Sequence, residues 1–143
     1  MKYCQIYEVC DKNLVSVPLV NNKVAAGFPS PAAGYEEESL NINDLLITNA
    51  PATFYIRVTG NSMIDANIHE GDILVVDKSI EPAHGQVVIA IVNGDFTVKT
   101  LYMKDGDIKL LPANPDYPEI LLSGEDQLNI WGVVSYAIKK FKL

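Results

Sequence analysis

The chain has little of what builds metal sites, disulfide frameworks or zinc-bound folds. Only two of its 143 residues are cysteines and only two are histidines. Cys4 and Cys10 both lie in the first ten residues with no further cysteine near them, so we expect reduced thiols. His69 and His84 are not matched by cysteines or carboxylates at the spacing of a metal site. The sequence therefore predicts neither a metal nor any other cofactor.

Long apolar runs and an excess of basic residues are also absent. No run approaches the roughly 20 apolar residues that a membrane span requires, and Lys2 is followed by a mixed polar segment, unlike a signal peptide. We therefore expect a cytoplasmic protein without membrane contact. The 11 basic residues are outnumbered by 18 acidic ones, which gives a net charge of −7. Because phosphate binding requires clustered cationic side chains, strong direct binding of nucleic acid is not expected.

The sequence of the first third of the chain indicates few helices or strands. Residues 1–17 show no clean hydrophobic period and are compatible with a strand or an irregular arm. Residues 18–35 contain closely spaced prolines and predict an extended arm with little pairing of its own. Glu36-Glu37-Glu38 is typical of a solvated charge run. Residues 39–47 predict a short helix with a Ser or Asn side chain as its N-cap.

From residue 54 onward the pattern indicates short β-strands separated by tight turns. Asn93-Gly94 stands between two strand-like runs, which is the strongest short signal for a hairpin. Asp105-Gly106 repeats this arrangement. Gly132 interrupts a long run over residues 127–141 and predicts a bend or bulge. Six or seven strands of this kind indicate a mainly β, antiparallel-rich fold that is closed or strongly curled.

One stretch, Val58-Thr59-Gly60-Asn61-Ser62-Met63-Ile64-Asp65, ends a strand-like run and then presents a serine. A serine hydroxyl needs a base to become a good nucleophile, and the candidate base is Lys99. A lysine serves as a base only when burial lowers its pKa. Strand alternation places Lys99 on one face with Thr97 and Leu101. Alternation alone favours a solvated lysine, and Gly60-Asn61-Ser62 alone favours a simple turn.

Several motifs, taken together and in order, change this interpretation. They are Ala26-Gly27-Phe28-Pro29-Ser30-Pro31-Ala32-Ala33, Gly60-Asn61-Ser62-Met63-Ile64-Asp65, Glu70-Gly71-Asp72-Ile73-Leu74-Val75-Val76-Asp77, His84-Gly85, Gly94-Asp95-Phe96-Thr97-Val98-Lys99, Leu111-Pro112-Ala113-Asn114 and Trp131-Gly132-Val133-Val134. From about Pro18 to the C-terminus the chain resembles the LexA/UmuD group of Ser–Lys self-cleaving proteins. Residues 1–17 match that group weakly.

The resemblance implies a role for each candidate residue. Ser62 is the expected nucleophile and Lys99 the expected general base. The peptide bond between Ala26 and Gly27 is the expected substrate, cut either in the same chain or in a dimer partner. Backbone N–H groups of Asn61 and Ser62 are the expected oxyanion donors. The implied organisation is an arm over residues 1–38 that carries the cleavage site, and a Ser–Lys peptidase β-domain with one short helix over 39–143.

The resemblance also implies partners and a biological setting. The family acts in the SOS response to DNA damage, as a homodimer whose self-cleavage is promoted by a RecA–single-stranded DNA filament. The product expected here, residues 27–143, would serve as accessory subunit of a Y-family, UmuC-like DNA polymerase. The long apolar strand 130–141 is either the dimer interface or an ordinary core strand.

Three other interpretations are open. The chain is compatible with the peptidase module of a LexA or phage-type repressor, although about 26 residues before the cleavage site are too few for a DNA-binding domain. A signal-peptidase relative acting on other proteins would need a membrane anchor. A non-catalytic β module, in which Ser62 is only a turn residue, predicts an intact chain at alkaline pH.

Overall fold

The computed structural model describes residues 6–8, 15–20, 23–24, 26–29, 37–122 and 128–143. Cys4 and Cys10 lie outside the described residues, so their reduced state stays a prediction. The chain forms two compact units, one made of Met1–Cys10 with Asn49–Leu143 and the other of Asp11–Thr48. No helix in the described ranges is long and apolar enough to cross a membrane.

The described elements are mostly strands. Two short 3-10 turns also occur, at Ala50–Ala52 and Ile64–Ala66. In chain order the elements are β1 (Ile6–Glu8), β2 (Ser16–Val20), β3 (Glu37–Asn41), α1 (Ile42–Leu46), β4 (Thr53–Arg57), β5 (Ile73–Asp77), β6 (Val87–Val92), β7 (Asp95–Lys104), β8 (Asp107–Leu111), β9 (Ile120–Leu121) and β10 (Leu128–Ile138).

In the smaller unit, β2 and β3 pair antiparallel, with Ser16 opposite Asn41 and Val20 opposite Glu37. The prediction that residues 18–35 have little pairing of their own is therefore wrong for the part that lies in β2. Pro18 fits there because β2 is an edge strand, where a missing N–H costs no ladder hydrogen bond. Glu37 and Glu38 are exposed, as predicted for a solvated charge run.

The predicted short helix is confirmed, but it is shorter than residues 39–47. Ser39 belongs to β3 and α1 begins at Ile42. The Asn41 side chain accepts a hydrogen bond of 3.0 Å from the backbone N–H of Asn43, so it is the N-cap. The helix ends at Leu46 because Ile47 adopts an extended backbone conformation.

The larger unit contains one eight-stranded sheet in the order β1-β4-β5-β10-β6-β7-β8-β9, with every neighbouring pair antiparallel. The six or seven strands predicted in this part of the chain are observed as the seven strands β4 through β10. The mainly β, antiparallel fold is confirmed. The sheet does not close on itself, because the two outer strands β1 and β9 do not pair with one another in the described residues.

The turns form where the sequence predicts them. Asn93 and Gly94 have φ values of 49° and 85°, and they join β6 to β7. Asp105 and Gly106 join β7 to β8 in the same way, with φ values of 53° and 78°. Two consecutive positive φ values give the twist that a two-residue hairpin needs, which explains the preference for Asn-Gly and Asp-Gly.

The bend predicted at Gly132 is confirmed as a register shift between Ile130 and Gly132, where β10 pairs with β6. A side chain has no room there, because a Cβ on Gly132 would lie 2.5 Å from Cγ1 of Val76. β10 lies between β5 and β6 and is thus a central strand of the sheet. A dimer interface along it stays a prediction.

Two apolar clusters form the core of the larger unit. The first joins β4, β5 and β6 to the loop that follows β4, and its buried members are Ile56, Val58, Met63, Ile68, Leu74, Val76 and Ile89. The second consists of Val88, Ala90, Leu101, Leu110 and Val133. Met63 is 1% exposed and directly follows Ser62, so the first cluster anchors the segment that carries the serine.

Candidate active site

The segment Gly60-Asn61-Ser62-Met63, here called the serine loop, is held at both ends. Before it, the N–H of Val58 donates to the carbonyl of Asp72 at 2.8 Å, and the N–H of Gly71 donates back to the carbonyl of Val58 at 2.9 Å. After it, the side chain of Met63 is buried in the core. The backbone at Ser62 is thus fixed by burial and hydrogen bonding on both sides.

Lys99 lies in the middle of β7, opposite Val88 of β6, and only 7% of it is exposed. The interpretation of a solvated lysine, which alternation alone favoured, is wrong. Alternation gives the face of a strand but not what covers that face. Here the serine loop covers it, because Nζ of Lys99 lies 3.0 Å from Oγ of Ser62.

Three oxygens surround the Lys99 amine. Nζ contacts Oγ of Ser62 at 3.0 Å, Oγ1 of Thr97 at 2.7 Å and the carbonyl of Val98 at 3.1 Å. A neutral amine has two N–H donors and one lone pair. The Thr97 and Val98 oxygens can take the two donors, which leaves the lone pair to accept the hydroxyl proton of Ser62. The three contacts thus suit a neutral amine as well as an ammonium, whose three N–H groups would donate to the same oxygens.

The surroundings of Lys99 favour this neutral form. Burial lowers the pKa of the amine below its ordinary value of 10.5, because the charged form loses hydration. Within the part of the chain that the structure describes, no carboxylate lies within salt-bridge distance of Nζ. No counter-ion there offsets the lost hydration of the ammonium form, so burial shifts Lys99 towards its neutral form.

Ser62 and Lys99 open into a cleft of about 350 Å³. Its apolar lining includes Ile56, Leu74 and Ile89, and it also contains Phe96 and Tyr117. An apolar cleft beside a serine and a lysine suits a peptide segment with small or aliphatic side chains.

The backbone amides expected to hold an oxyanion have no acceptor among the residues that the structure describes. In hydrogen bonds among the described residues, the N–H groups of Asn61 and Ser62 donate to no acceptor. Their carbonyls are engaged instead: that of Asn61 accepts from Nδ2 of Asn114 at 2.8 Å, and that of Ser62 accepts from the N–H of Ala113 at 2.8 Å. The role of the two amides as oxyanion donors stays a prediction.

Ala26 and Gly27 belong to the smaller unit, and both are exposed. Their neighbours Val24 and Phe28 are 91% and 93% exposed, which is unusual for large apolar side chains. The structure thus brings Ser62 and Lys99 together within one unit. The cleavage of the Ala26–Gly27 bond stays a prediction.

Two polar residues at the site had no role in the sequence analysis. Thr97 was placed only on the face of Lys99, and Asn114 only within the motif Leu111-Pro112-Ala113-Asn114. Alternation along β7 is the signal that finds Thr97, since residues two apart share a face. Asn114 contacts the serine loop across 53 residues of sequence, and no local pattern gives such a contact.

The histidines have structural contacts. Nδ1 of His84 accepts a hydrogen bond of 3.0 Å from the N–H of Met103. Nδ1 of His69 lies 3.2 Å from Nζ of Lys139. Across the described ranges, no group of three or more His, Cys, Asp or Glu side chains is arranged to hold a metal ion.

Comparison with known proteins identifies the family. The family model described as Peptidase S24-like matches residues 18–135. The chain belongs to the Peptidase S24-like family. This is the family of LexA/UmuD-type serine peptidases, which are self-cleaving proteins of the SOS response, and the predicted resemblance is confirmed.

Individual relatives of this S24 member cover most of its length. Protein MucA of Salmonella typhimurium is 40% identical over 124 residues, which span 86% of this chain and 84% of MucA. Protein SamA of Salmonella typhimurium is 46% identical over 125 residues, or 87% of this chain and 86% of SamA. The LexA repressor of Bordetella avium is 39% identical over 127 residues, 89% of this chain but 59% of the repressor. The chain is thus a UmuD-like member of the family.

Proposed function

We propose that the chain is a serine endopeptidase that cuts its own Ala26–Gly27 bond once, with Ser62 as nucleophile and Lys99 as general base. The observation that carries this proposal is the 3.0 Å contact between Oγ of Ser62 and Nζ of a buried Lys99. A serine that is hydrogen-bonded to a desolvated amine has the base that an isolated hydroxyl lacks.

In the proposed reaction, the neutral amine of Lys99 takes the hydroxyl proton of Ser62 as Oγ attacks the carbonyl carbon of Ala26. The N–H groups of Asn61 and Ser62 stabilise the negative charge on the carbonyl oxygen. The Lys99 ammonium then gives its proton to the nitrogen of Gly27 as the peptide bond breaks. A water molecule, deprotonated by Lys99, hydrolyses the ester between Ser62 and Ala26 and regenerates the serine.

The proposed substrate suits the site chemically. Ala26 and Gly27 place little bulk around the carbonyl that Ser62 would attack. The residues before them, Val24-Ala25-Ala26, have side chains small enough for an apolar cleft and can bind as an extended strand through main-chain hydrogen bonds. The exposure of Ala26 and Gly27 leaves that bond accessible.

The biological role is inferred from the UmuD-like character of the chain. We propose that a RecA–single-stranded DNA filament promotes the cut in a cytoplasmic homodimer. Residues 27–143 then serve as accessory subunit of a Y-family, UmuC-like polymerase in translesion synthesis. The net charge of −7 supports action through protein partners instead of direct DNA binding.

The likeness to a LexA repressor supports a second candidate, in which the same self-cleavage inactivates a transcriptional repressor. Binding assays separate the two roles. The accessory-subunit role predicts that residues 27–143 bind a UmuC-like polymerase more tightly than the uncut chain does. The repressor role predicts instead that operator DNA is released upon cleavage.

Incubating the purified chain at alkaline pH and measuring intact masses tests the peptidase activity. We expect fragments of 26 and 117 residues, which together make up the 143-residue chain. Ser62→Ala and Lys99→Ala should both remain uncut. Ser135→Ala and Lys104→Ala change exposed residues of the same types and should be cut like the unmodified chain. An intact chain, even after addition of an activated RecA filament, would refute the proposal.

A further inference from the structure

The segment Pro112–Tyr117, here called the asparagine loop, is joined to the serine loop by several hydrogen bonds. Nδ2 of Asn114 donates to the carbonyl of Asn61 at 2.8 Å. The N–H of Ala113 donates to the carbonyl of Ser62 at 2.8 Å, and its own carbonyl accepts from the N–H of Asp65 at 2.7 Å. These bonds engage the carbonyls of Asn61 and Ser62, whose N–H groups have no acceptor in the described ranges.

The engaged carbonyls determine where the free amides point. A trans peptide is planar, and its C=O and N–H bonds point in opposite directions. No cis peptide occurs among the described residues. Because Asn114 holds the carbonyl of Asn61, the N–H of Ser62 in the same peptide plane points away from the asparagine loop. That N–H donates to no acceptor in the described part of the chain. It is thus available to a ligand in the cleft that Ser62 lines.

The side chain of Asn114 is itself fixed. It is 8% exposed, and its Oδ1 accepts a hydrogen bond of 3.0 Å from the N–H of Asp116. Oδ1 thus faces a donor while Nδ2 faces an acceptor, so a flip of the amide would break both contacts. The backbone carbonyl of Asn114 also accepts from the N–H of Tyr117 at 3.1 Å. This leaves one orientation in which Asn114 can donate to Asn61.

We propose that Asn114 is a positioning residue for the oxyanion site: by holding the carbonyl of Asn61, it aims the N–H of Ser62 at the oxygen that becomes charged. This inference rests on the proposed function, since the oxyanion forms only if Ser62 attacks a peptide carbonyl. Asn114 touches no reacting atom. Its effect should therefore appear in the rate of the chemical step and not in the protonation of Lys99.

Two substitutions of Asn114 separate this role from simple space filling. Asn114→Asp keeps the shape and the acceptor for Asp116 but places an oxygen, which cannot donate, against the carbonyl of Asn61. Asn114→Ala removes both contacts. The self-cleavage rate of each full-length variant is measured by intact mass from neutral to alkaline pH. Unfolding is followed in parallel at each pH, so that only folded protein is compared.

We expect both substitutions to lower the limiting alkaline rate by about 10²- to 10³-fold, the usual effect of losing one oxyanion donor. In Asn114→Ala the midpoint of the pH profile should stay unchanged, because none of the three contacts of the Lys99 amine involves residue 114. Thr53→Ala is the matched control. It removes a different buried side-chain hydrogen bond, from Oγ1 of Thr53 to the carbonyl of Asn49, and should leave the rate unchanged.

A rate in Asn114→Asp equal to that of the unmodified chain would overturn the inference, because shape alone would then suffice. The inference would also be overturned if Thr53→Ala lowered the cleavage rate as much as Asn114→Ala does. The same holds if Asn114→Ala only shifted the midpoint of the pH profile. An unmodified chain that shows no Ser62-dependent cleavage would refute the proposed function instead. In that case the amide signals of Ser62 in a ¹⁵N–¹H spectrum still test the contact: they should move in Asn114→Ala, and unchanged signals would overturn it.

Discussion

Lys99 is a residue type that usually lies in solvent, yet the hydroxyls of Ser62 and Thr97 and the backbone carbonyl of Val98 enclose its amine. Removing an ammonium ion from water is costly unless a counter-ion compensates. The described surroundings of Lys99 offer hydroxyl and carbonyl oxygens but no carboxylate. Burial without a counter-ion therefore favours the neutral amine, which is the form that the proposed base must have.

Because its amine is buried, Lys99 should titrate below its ordinary pKa of 10.5. The measurement is an NMR titration of lysine side chains in the uncleavable Ser62→Ala chain, with Lys99→Met used to assign the signal. Because the folded pKa is lower than the unfolded one, the folded chain binds fewer protons between the two values. The free energy of unfolding should therefore rise with pH across that window. A Lys99 signal that titrates at or above 10.5 would contradict this.

Thr97→Val tests the second contact of the amine. The substitution removes the oxygen that lies 2.7 Å from Nζ while keeping a similar shape. We expect a limiting cleavage rate lower by about 2- to 10-fold, the equivalent of one ordinary hydrogen bond. The pH midpoint should move to lower pH, because the charged amine loses an acceptor. Thr100→Val changes a residue on the opposite face of the same strand and should leave the cleavage rate and the pH midpoint unchanged. Equal effects of Thr97→Val and Thr100→Val would refute a specific role of Thr97.

The family resemblance identified Ser62 and Lys99 from the sequence. The burial of Lys99 and its hydrogen bond to Ser62, however, depend on a contact between residues 37 positions apart. Alternation along β7 places Thr97 and Lys99 on one face and cannot reveal that the serine loop covers it. Asn114 is a similar case, since its partner Asn61 is distant in sequence. Residue types and faces are thus predictable here, whereas burial and partners require the assembled fold.

Among the elements, the turns were predictable and one strand pairing was not. Asn93-Gly94 and Asp105-Gly106 adopt positive φ values for local reasons, so the pattern identified both hairpins. The pairing of β2 with β3 joins segments separated by 16 residues and includes a proline, which argues against a strand in a purely local analysis. Only the partner strand, with Ser39 opposite Pro18, shows that the proline sits at an edge.

The close approach of β10 to β5 gives an element-scale prediction at Gly132. Gly132→Ala should lower the free energy of unfolding by about 1–3 kcal/mol, because the new methyl group would overlap Cγ1 of Val76. Urea denaturation measures this change. In a Val76→Ala background the same substitution should cost less, since the obstructing methyl is gone. Additive effects in this double-mutant cycle would show that the overlap is not the cause.

A second prediction concerns the ion pair between Asp72, just before β5, and Lys139, just after β10. Burial alone would raise the pKa of Asp72, but hydrogen bonds from Lys139 and the backbone N–H of His69, with the charge of Lys139, hold it below 3.8. This contribution to stability is present above pH 3.8 and is lost as pH falls through the folded pKa.

Lys139→Met should therefore lower the free energy of unfolding by about 1–3 kcal/mol at neutral pH, because it leaves a buried carboxylate without its cation. Urea unfolding between pH 7 and pH 3 measures the difference, which should shrink as the carboxylate becomes protonated. Lys140→Met, at the neighbouring exposed position, is the control. A deficit in Lys139→Met that does not change with pH would contradict an electrostatic origin.

At the scale of the whole molecule, the proposed enzyme and its substrate lie in different units of one chain. Ser62 and Lys99 belong to the unit that contains Asn49–Leu143, and Ala26 and Gly27 to the unit Asp11–Thr48. In the proposed reaction each chain loses its one Ala26–Gly27 bond, so cleavage would act as a switch and not as repeated turnover. The contact between Ser62 and Lys99 already exists in the intact chain, so the proposed dyad does not require the cut to form.

The rate of self-cleavage as a function of pH tests the claim that a buried and neutral Lys99 lets Ser62 cut the chain's own arm. Intact mass should show fragments of 26 and 117 residues. Their rate of formation should rise about tenfold per pH unit and level off below pH 10.5, as the lowered pKa of Lys99 requires. A rate that does not depend on pH, or the same fragments from Lys99→Ala, would contradict the claim.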